Sequence, residues 1–205
     1  MESQASTWSA VSYDWKHDCE MRLVHVGPQD TARGSLLNGT LEAIRSLGGE
    51  DVARHCREAS GQERFVDVFS YSISMQLRMV STAMPLLLTR CGSSEQVLRH
   101  FGRHAGMDFL ASPAGKMMLT LARKDPKRLM NSLPAAYKSW VNYGTQSVEW
   151  TGPTSGRLLL KREFMPHAFH SGLVELLLEM AGANRVRVNG RQTGRLDSQC
   201  EFSWA

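Results

Sequence analysis

The sequence has no C-x-x-C pair, no run of five like charges and no unbroken apolar stretch of membrane length. Each absence removes a class of function. The four cysteines, Cys19, Cys56, Cys91 and Cys200, are too widely spaced for a zinc signature, and disulfides are not expected in a chain without a secretory start. The opening stretch MESQASTWSAVSYDWK lacks a basic region leading into an apolar one, so no signal peptide is expected. The most apolar long segment, Phe65 to Leu88, carries Asp67, Gln76, Arg78 and Pro85, which makes it a core helix rather than a membrane span. A cytoplasmic location is the resulting expectation. The formal charge is +4, but Lys and Arg are interleaved with acids, so nucleic acid is not an expected partner. Phosphate-loop and serine-elbow chemistry are missing too. "EWTGPTSGR" (Glu149–Arg157) lacks the G-x-x-x-x-G-K-S/T spacing and reads as a hairpin turn, and no G-x-S-x-G occurs.

What is present is ordinary globular material. With 42% hydrophobic and 21% charged residues over 205 positions, the chain is long enough to bury a core without staples. Residues 1–30 read as an arm, with Glu20–Val26 as one short edge strand. Residues 31–205 read as a single domain. Its first part, 31–143, is mostly helical: Leu36, Leu37, Thr40, Leu41, Ile44 and Leu47 recur at helical spacing until Gly48-Gly49. Further helices are expected over Glu50–Ala59, from Arg64 or Ser70 to Arg90, from Ser93 or Ser94 to Ala111 or on to Lys124, and from Asp125-Pro126 to Tyr143. After Gly144 the apolar period changes from about 3.6 to 2. Thr145–Gly152 and Arg157–Phe164 form a hairpin, Met165–Ala181 an amphipathic helix, and Asn184–Gly190 with Leu196–Trp204 a second hairpin. Residues 144–205 are thus ββαββ, and the fold class is α+β: a helical layer packed on a four-stranded antiparallel sheet.

Two histidine pairs are candidate chemistry. His100 and His104 stand four apart, with Asp108 four further on, a spacing that turns all three to one side of a helix. It suits two metal ligands, but H-E-x-x-H is absent, Arg103 stands beside the pair and no third ligand is nominated. Hydrogen-bonded boundary histidines are the expectation, with Asp108 turned towards the core. His167 and His170 in "PHAFH" fall in a first helical turn, where the dipole disfavours the charged form. No metal and no cofactor is expected at either pair.

The stretches "RGSLLNGTLEAIRSLG", "RFVDVFSYSISMQLRM" and the segment from "DPKRLMNSLPAAYKSW" to "QCEFSW" resemble a paralogous myxobacterial family of unknown function, over about Val24 to Trp204. That resemblance implies no catalytic residues. More distantly, the helix "HSGLVELLLEMAGA" with its two following strands is similar to the closing segment of 4-vinyl-reductase domains, which share a ligand-binding fold with haem-nitric-oxide-binding domains and TRAPP trafficking subunits. The resemblance implies a small or lipid-like molecule held between helices and sheet. The haem branch's Y-x-S-x-R signature is not met at Tyr71-Ser72-Ile73.

Two functions from different classes follow. The first is a non-catalytic sensor or adaptor that binds an apolar small molecule, a protein partner or a second copy of itself. The second is a small enzyme, or a haem or metal sensor, using His100/His104 or His167/His170. For the first, the expected pocket lies between the long helices and the sheet, lined by Tyr71, Met75, Met79, Met117 and Met118, with Trp150 and Trp204 at its mouth. Arg78 is its one charged group, paired with Asp67, Asp108 or an acidic head group if buried, or else snorkelling outward.

Overall fold

The computed structural model describes residues 14–205. The element order is α1 (Trp15–Val24), β1 (Thr31–Arg33), α2 (Gly34–Gly48), α3 (Glu50–Ser60), β2 (Ser70–Ser72), α4 (Ile73–Cys91), α5 (Ser94–Ala111), α6 (Pro113–Ala122), α7 (Pro126–Tyr137), β3 (Thr145–Gly152), β4 (Ser155–Lys161), α8 (His167–Met180), β5 (Arg187–Gln192) and β6 (Ser198–Ser203). The expected α+β class and the helices-then-sheet order hold.

Helix starts follow cap chemistry. Asp14, Ser72, Ser93, Ser112 and Asp125 each turn a side-chain oxygen onto the free N–H groups of α1, α4, α5, α6 and α7. Pro113 and Pro126 take first-turn positions, where the missing N–H costs nothing. Of the two ends expected for the helix from Ser93 or Ser94, Ala111 holds and Lys124 does not, because Ser112 caps a fresh start ahead of Pro113. The expected fifth helix stops at Tyr137, not Tyr143. Its continuation is drawn off to other partners: Trp140 O accepts from Arg33 N at 2.7 Å, and Val141 bridges Ala32.

The arm needs the larger correction. Glu20–Val26 is not an edge strand: Glu20 to Val24 end α1, and His25 and Val26 lead out of it. The buried residues of that helix are Cys19 and Arg22, one turn apart, so its inner face carries an arginine that apolar periodicity cannot see. The expectation for residues 1–13 lies outside the described residues. The other element missed is the small β1–β2 sheet, three residues a strand, which clasps the start of α2 to the start of α4.

The four-stranded sheet is antiparallel, in the order β3-β4-β6-β5. Its alternation separates two faces. Val148, Leu158, Leu160, Cys200, Phe202 and Val188 point inward, while Glu149, Arg157, Glu201 and Arg187 face water. Gly156 is required where it stands opposite Phe202: a Cβ there would come within 2.7 Å of the Phe202 ring.

Helix α8 lies on the inner face of β5 and β6, α7 reaches both α8 and β3, and α5 packs along the other side of α8. The α5–α8 crossing is closed by glycine. A Cβ on Gly102 would fall 1.8 Å from Phe169 O, and one on Gly172 2.0 Å from Arg99 O. The two backbones touch. Outside them stand α2, α3 and α4, with α1 lying on α4.

Candidate functional site

The eight residues expected to line a pocket do not meet in one. Met79 is fully buried, Met118 nearly so, and Met75 half-buried. Met117 is exposed on the outer face of α6. Tyr71 belongs to β2, where its hydroxyl accepts from Val66 N at 2.8 Å and its ring stands edge-on to Phe65. Arg78 is exposed and so takes the outward alternative. Trp150 and Trp204 do come together, 6.0 Å apart and both against Phe202, with Trp150 Nε1 donating to Asn131. The expected space between helices and sheet is occupied by α8, whose glycine contact with α5 leaves no slot.

The histidines of α5 part company. His100 Nε2 shares a hydrogen bond with Ser46 Oγ at 3.1 Å, and burial lowers its pKa. His104 Nδ1 lies 3.2 Å from Asp108 Oδ2, and that carboxylate raises its pKa. Asp108 is exposed rather than turned into the core, and it rests over Gly39 of α2. Arg103 is taken up by Glu179 at 2.8 Å. Among the described residues no group of three or more His, Cys, Asp or Glu side chains is arranged to hold a metal.

His170 leads to a constellation that no sequence pattern marked. It is fully buried, with Nε2 3.6 Å from Glu163 Oε1 and its ring edge-on to Tyr137. Glu163 is itself buried. Its Oε1 accepts from Tyr137 OH at 3.3 Å and from Met165 N at 3.1 Å. Burial, reinforced by the nearby Glu163 carboxylate, raises the phenols of Tyr137 and Tyr143 well above their usual pKa, so both stay protonated and Tyr137 serves as donor. The groups come from the end of α7, the approach to β3, the β4–α8 corner and α8. That separation along the chain is why spacing arguments miss them. The cluster can share and hold protons, but it is walled from water and offers no nucleophile to a substrate.

The same corner is tied from outside. Arg162, in a left-handed conformation (φ 51), donates to both oxygens of Asp30 at 2.6 and 2.8 Å. Arg22 is almost wholly buried, and all three of its donor groups are used: Nε to Asp18 at 2.6 Å, Nη1 to Glu163 O at 2.8 Å and Nη2 to Gln192 Oε1 at 2.9 Å. Helix α1 is thereby fastened by polar bonds.

Beneath α1 is a narrow apolar recess of about 10 Å³, room for about one water molecule. Trp15, Cys19 and Arg22 form its roof. Leu77, Val80, Ser81 and Met84 of α4, with Leu98 and Pro166, form its floor. Cys19 donates weakly to Leu77 O at 3.6 Å, and burial raises its thiol pKa.

Comparisons with known proteins complete the picture. The model of a family of proteins of unknown function, DUF2378, matches residues 25–205. No curated protein matches the chain. Among solved structures, the Fe(II) unliganded H-NOX protein of K. algicida is similar at a TM-score of 0.66 and 16% identity, over 84% of this chain and 96% of that one. The S. oneidensis H-NOX protein in the Fe(II)NO state is similar at a TM-score of 0.67 and 12% identity, over 84% of this chain and 99% of that one. An oxygen-binding H-NOX domain related to soluble guanylate cyclases has a TM-score of 0.61 at 10% identity, over 84% of this chain and 94% of that one.

Proposed function

The chain belongs to the DUF2378 family of proteins of unknown function and shares a fold with H-NOX domains, and from there we propose that it is a non-catalytic sensor or adaptor domain that takes an apolar small molecule beneath α1. The observation that carries this reading is the recess under a helix held by polar bonds. Only Cys19 and Arg22 of α1 are fully buried, with Trp15 and Leu23 packed at its edge, and the three hydrogen bonds of Arg22 are what fasten it. The floor it uncovers is almost entirely aliphatic and includes an adaptable Met. A site between helices and sheet, as the vinyl-reductase resemblance implies, has no room at the α5–α8 contact.

The similar structures are described as ferrous and haem proteins. The residues present here do not fit that group. Any ligand beneath α1, haem or acyl chain, enters only when α1 lifts, since the closed recess is about 10 Å³; what speaks against haem there is that no histidine lines the recess. His100 and His104 are engaged on Ser46 and Asp108, and His170 is enclosed by Tyr137, Phe169 and Glu163. The best match to Y-x-S-x-R is Tyr137-Lys138-Ser139-Trp140-Val141, where buried Val141 stands in place of the arginine and offers no cation to haem carboxylates.

The test is titration with a fluorescent fatty acyl probe, alongside an absorption spectrum. Saturable binding is expected for the unmodified protein. Ser81→Phe should abolish it: Ser81 is half-buried, so the ring caps the rim of the recess rather than filling it, and circular dichroism checks that the fold is kept. Arg22→Met should strengthen it by loosening α1. No binding by the unmodified protein, or unchanged binding by Ser81→Phe, refutes the site. A stoichiometric Soret band refutes the exclusion of haem.

A further inference from the structure

One corner of the molecule, away from α1, matches the formal charge of the whole chain. Residues 113–128 carry Lys116, Arg123, Lys124, Lys127 and Arg128 against the single acid Asp125, five cations less one acid, which equals the chain total of +4. Four of these cations stand where local backbone physics disfavours them. Arg123 (φ 51) and Lys124 (φ 59) are both left-handed, a conformation in which glycine or asparagine is the unstrained choice. Lys127 and Arg128 sit in the first turn of α7, at the positive end of its dipole. Local compensation is partial: Asp125 lies 3.4 Å from Arg128, and Lys127 rests over the Trp150 ring.

Apolar groups are exposed beside them. Helix α6 turns Met117 and Leu121 to water, 65% and 68% exposed, and the end of α8 adds Met180. Between the ends of α6 and α8 lies an open recess of about 270 Å³, lined by Leu119, Thr120, Ala122, Lys124, Met180 and Ala181. Arg123 closes α6 in a conformation that glycine would take without strain, and the apolar side chains beside it form a patch rather than scattered single residues.

We propose that this corner docks an acidic amphipathic helix of a partner protein. An apolar side chain of that helix enters the recess between α6 and α8, Met117 and Leu121 cover its flank, and its carboxylates meet Arg123 and Lys124. The concavity favours a protruding side chain over a lipid surface, and methionine suits a groove that must adapt to its guest. This docking does not depend on the ligand beneath α1.

The test uses fluorescence anisotropy with a labelled helical peptide of about 18 residues, five turns, carrying Leu on one face and Glu on the others. The control peptide has Lys in place of Glu. The unmodified protein should bind the acidic peptide saturably, more weakly as salt rises, and should ignore the basic one. In R123G/K124G, glycine relieves the left-handed strain, so thermal stability should hold or rise while affinity falls by about tenfold or more. M117S/L121S should keep the fold and weaken binding similarly. Failure of the unmodified protein to bind the acidic peptide overturns the proposal, as does unchanged binding by R123G/K124G. Flotation with vesicles of equal parts phosphatidylcholine and phosphatidylserine, without peptide binding, assigns the corner to lipid and overturns it equally.

Discussion

Replacing Gly102 by alanine tests whether α5 and α8 truly meet backbone to backbone. By helix propensity alone the change stabilises, by about 1 kcal/mol. The contact reverses the sign. The new methyl would lie 1.8 Å from Phe169 O, 2.7 Å from Phe169 C and 3.0 Å from Leu173 N, all backbone atoms that cannot swing aside. An unstrained carbon contact needs about 3.5 Å, so the helices must part by roughly 1.5 Å. That gap opens along Leu98, Phe101, Ala105, Phe169 and Leu173, all buried at the crossing. A separation of this size forfeits more than half of each dispersion contact, and overpacking of this kind costs about 1–3 kcal/mol or more; about 3 kcal/mol is expected after the propensity gain is subtracted. Urea unfolding followed by circular dichroism reads this directly. At a slope of about 2 kcal/mol per molar, the midpoint should fall by about 1.5 M. G172A should behave alike, since its methyl meets Arg99 O at 2.0 Å. One outward shift relieves both clashes, so the double variant should lose clearly less than the two losses added. A stable G102A protein, or strict additivity, refutes the close contact and reopens the space between these helices to a ligand.

Three other changes probe the polar ties. Arg22→Met should cost about 3 kcal/mol, because Glu163 O loses its buried donor and Asp18 and Gln192 lose one bond each; amide hydrogen exchange should quicken in α1 first, and unaltered exchange there would contradict its role as fastener. Asp108→Asn should matter only in acid. Asp108 raises the pKa of His104, so the pair stabilises fully below the ordinary histidine value of 6.5 and fades as pH climbs through the raised one; with both groups partly in water the difference at about pH 5.5 should be about 0.5 kcal/mol, vanishing above the raised value, and a gap that widens with pH would reverse the assignment. Tyr137→Phe removes the hydroxyl that donates to buried Glu163 and should cost about 2 kcal/mol in thermal unfolding, whereas full retention of stability would mean the carboxylate does not need that donor.

The change of period at Gly144 made the ββαββ half legible, because one buried face alternates cleanly along each strand. The long helices were legible from their stripes and caps. Helix α1 was not, since its inward side chain one turn from Cys19 is the charged Arg22, and a hydrophobic pattern cannot register an arginine buried on three acceptors. Arg78 reads as anomalous only if the whole apolar segment is assumed inward; one step around the helix from Leu77 it faces water. Helix-interior glycines at 102 and 172 are visible in the sequence, but which carbonyl each must clear is a property of the crossing. The Tyr137–Glu163–His170 cluster joins residues from separate elements, and no spacing rule reaches across them.

The cysteines make the molecule its own kinetic probe. Burial pushes the thiols of Cys56 and Cys200 up to about 11, so near neutral pH both should be slow to alkylate. Cys91 is half-exposed and should be consumed first. Cys19 is different again: it lies on the inner face of α1 over Leu77 of α4, and reagent reaches it once that helix lifts. Its alkylation rate, measured against Cys56 in the same tube, is therefore a clock for how often α1 lifts. An apolar guest that holds the helix open would speed that clock, and one sealed in beneath a reclosed helix would slow it.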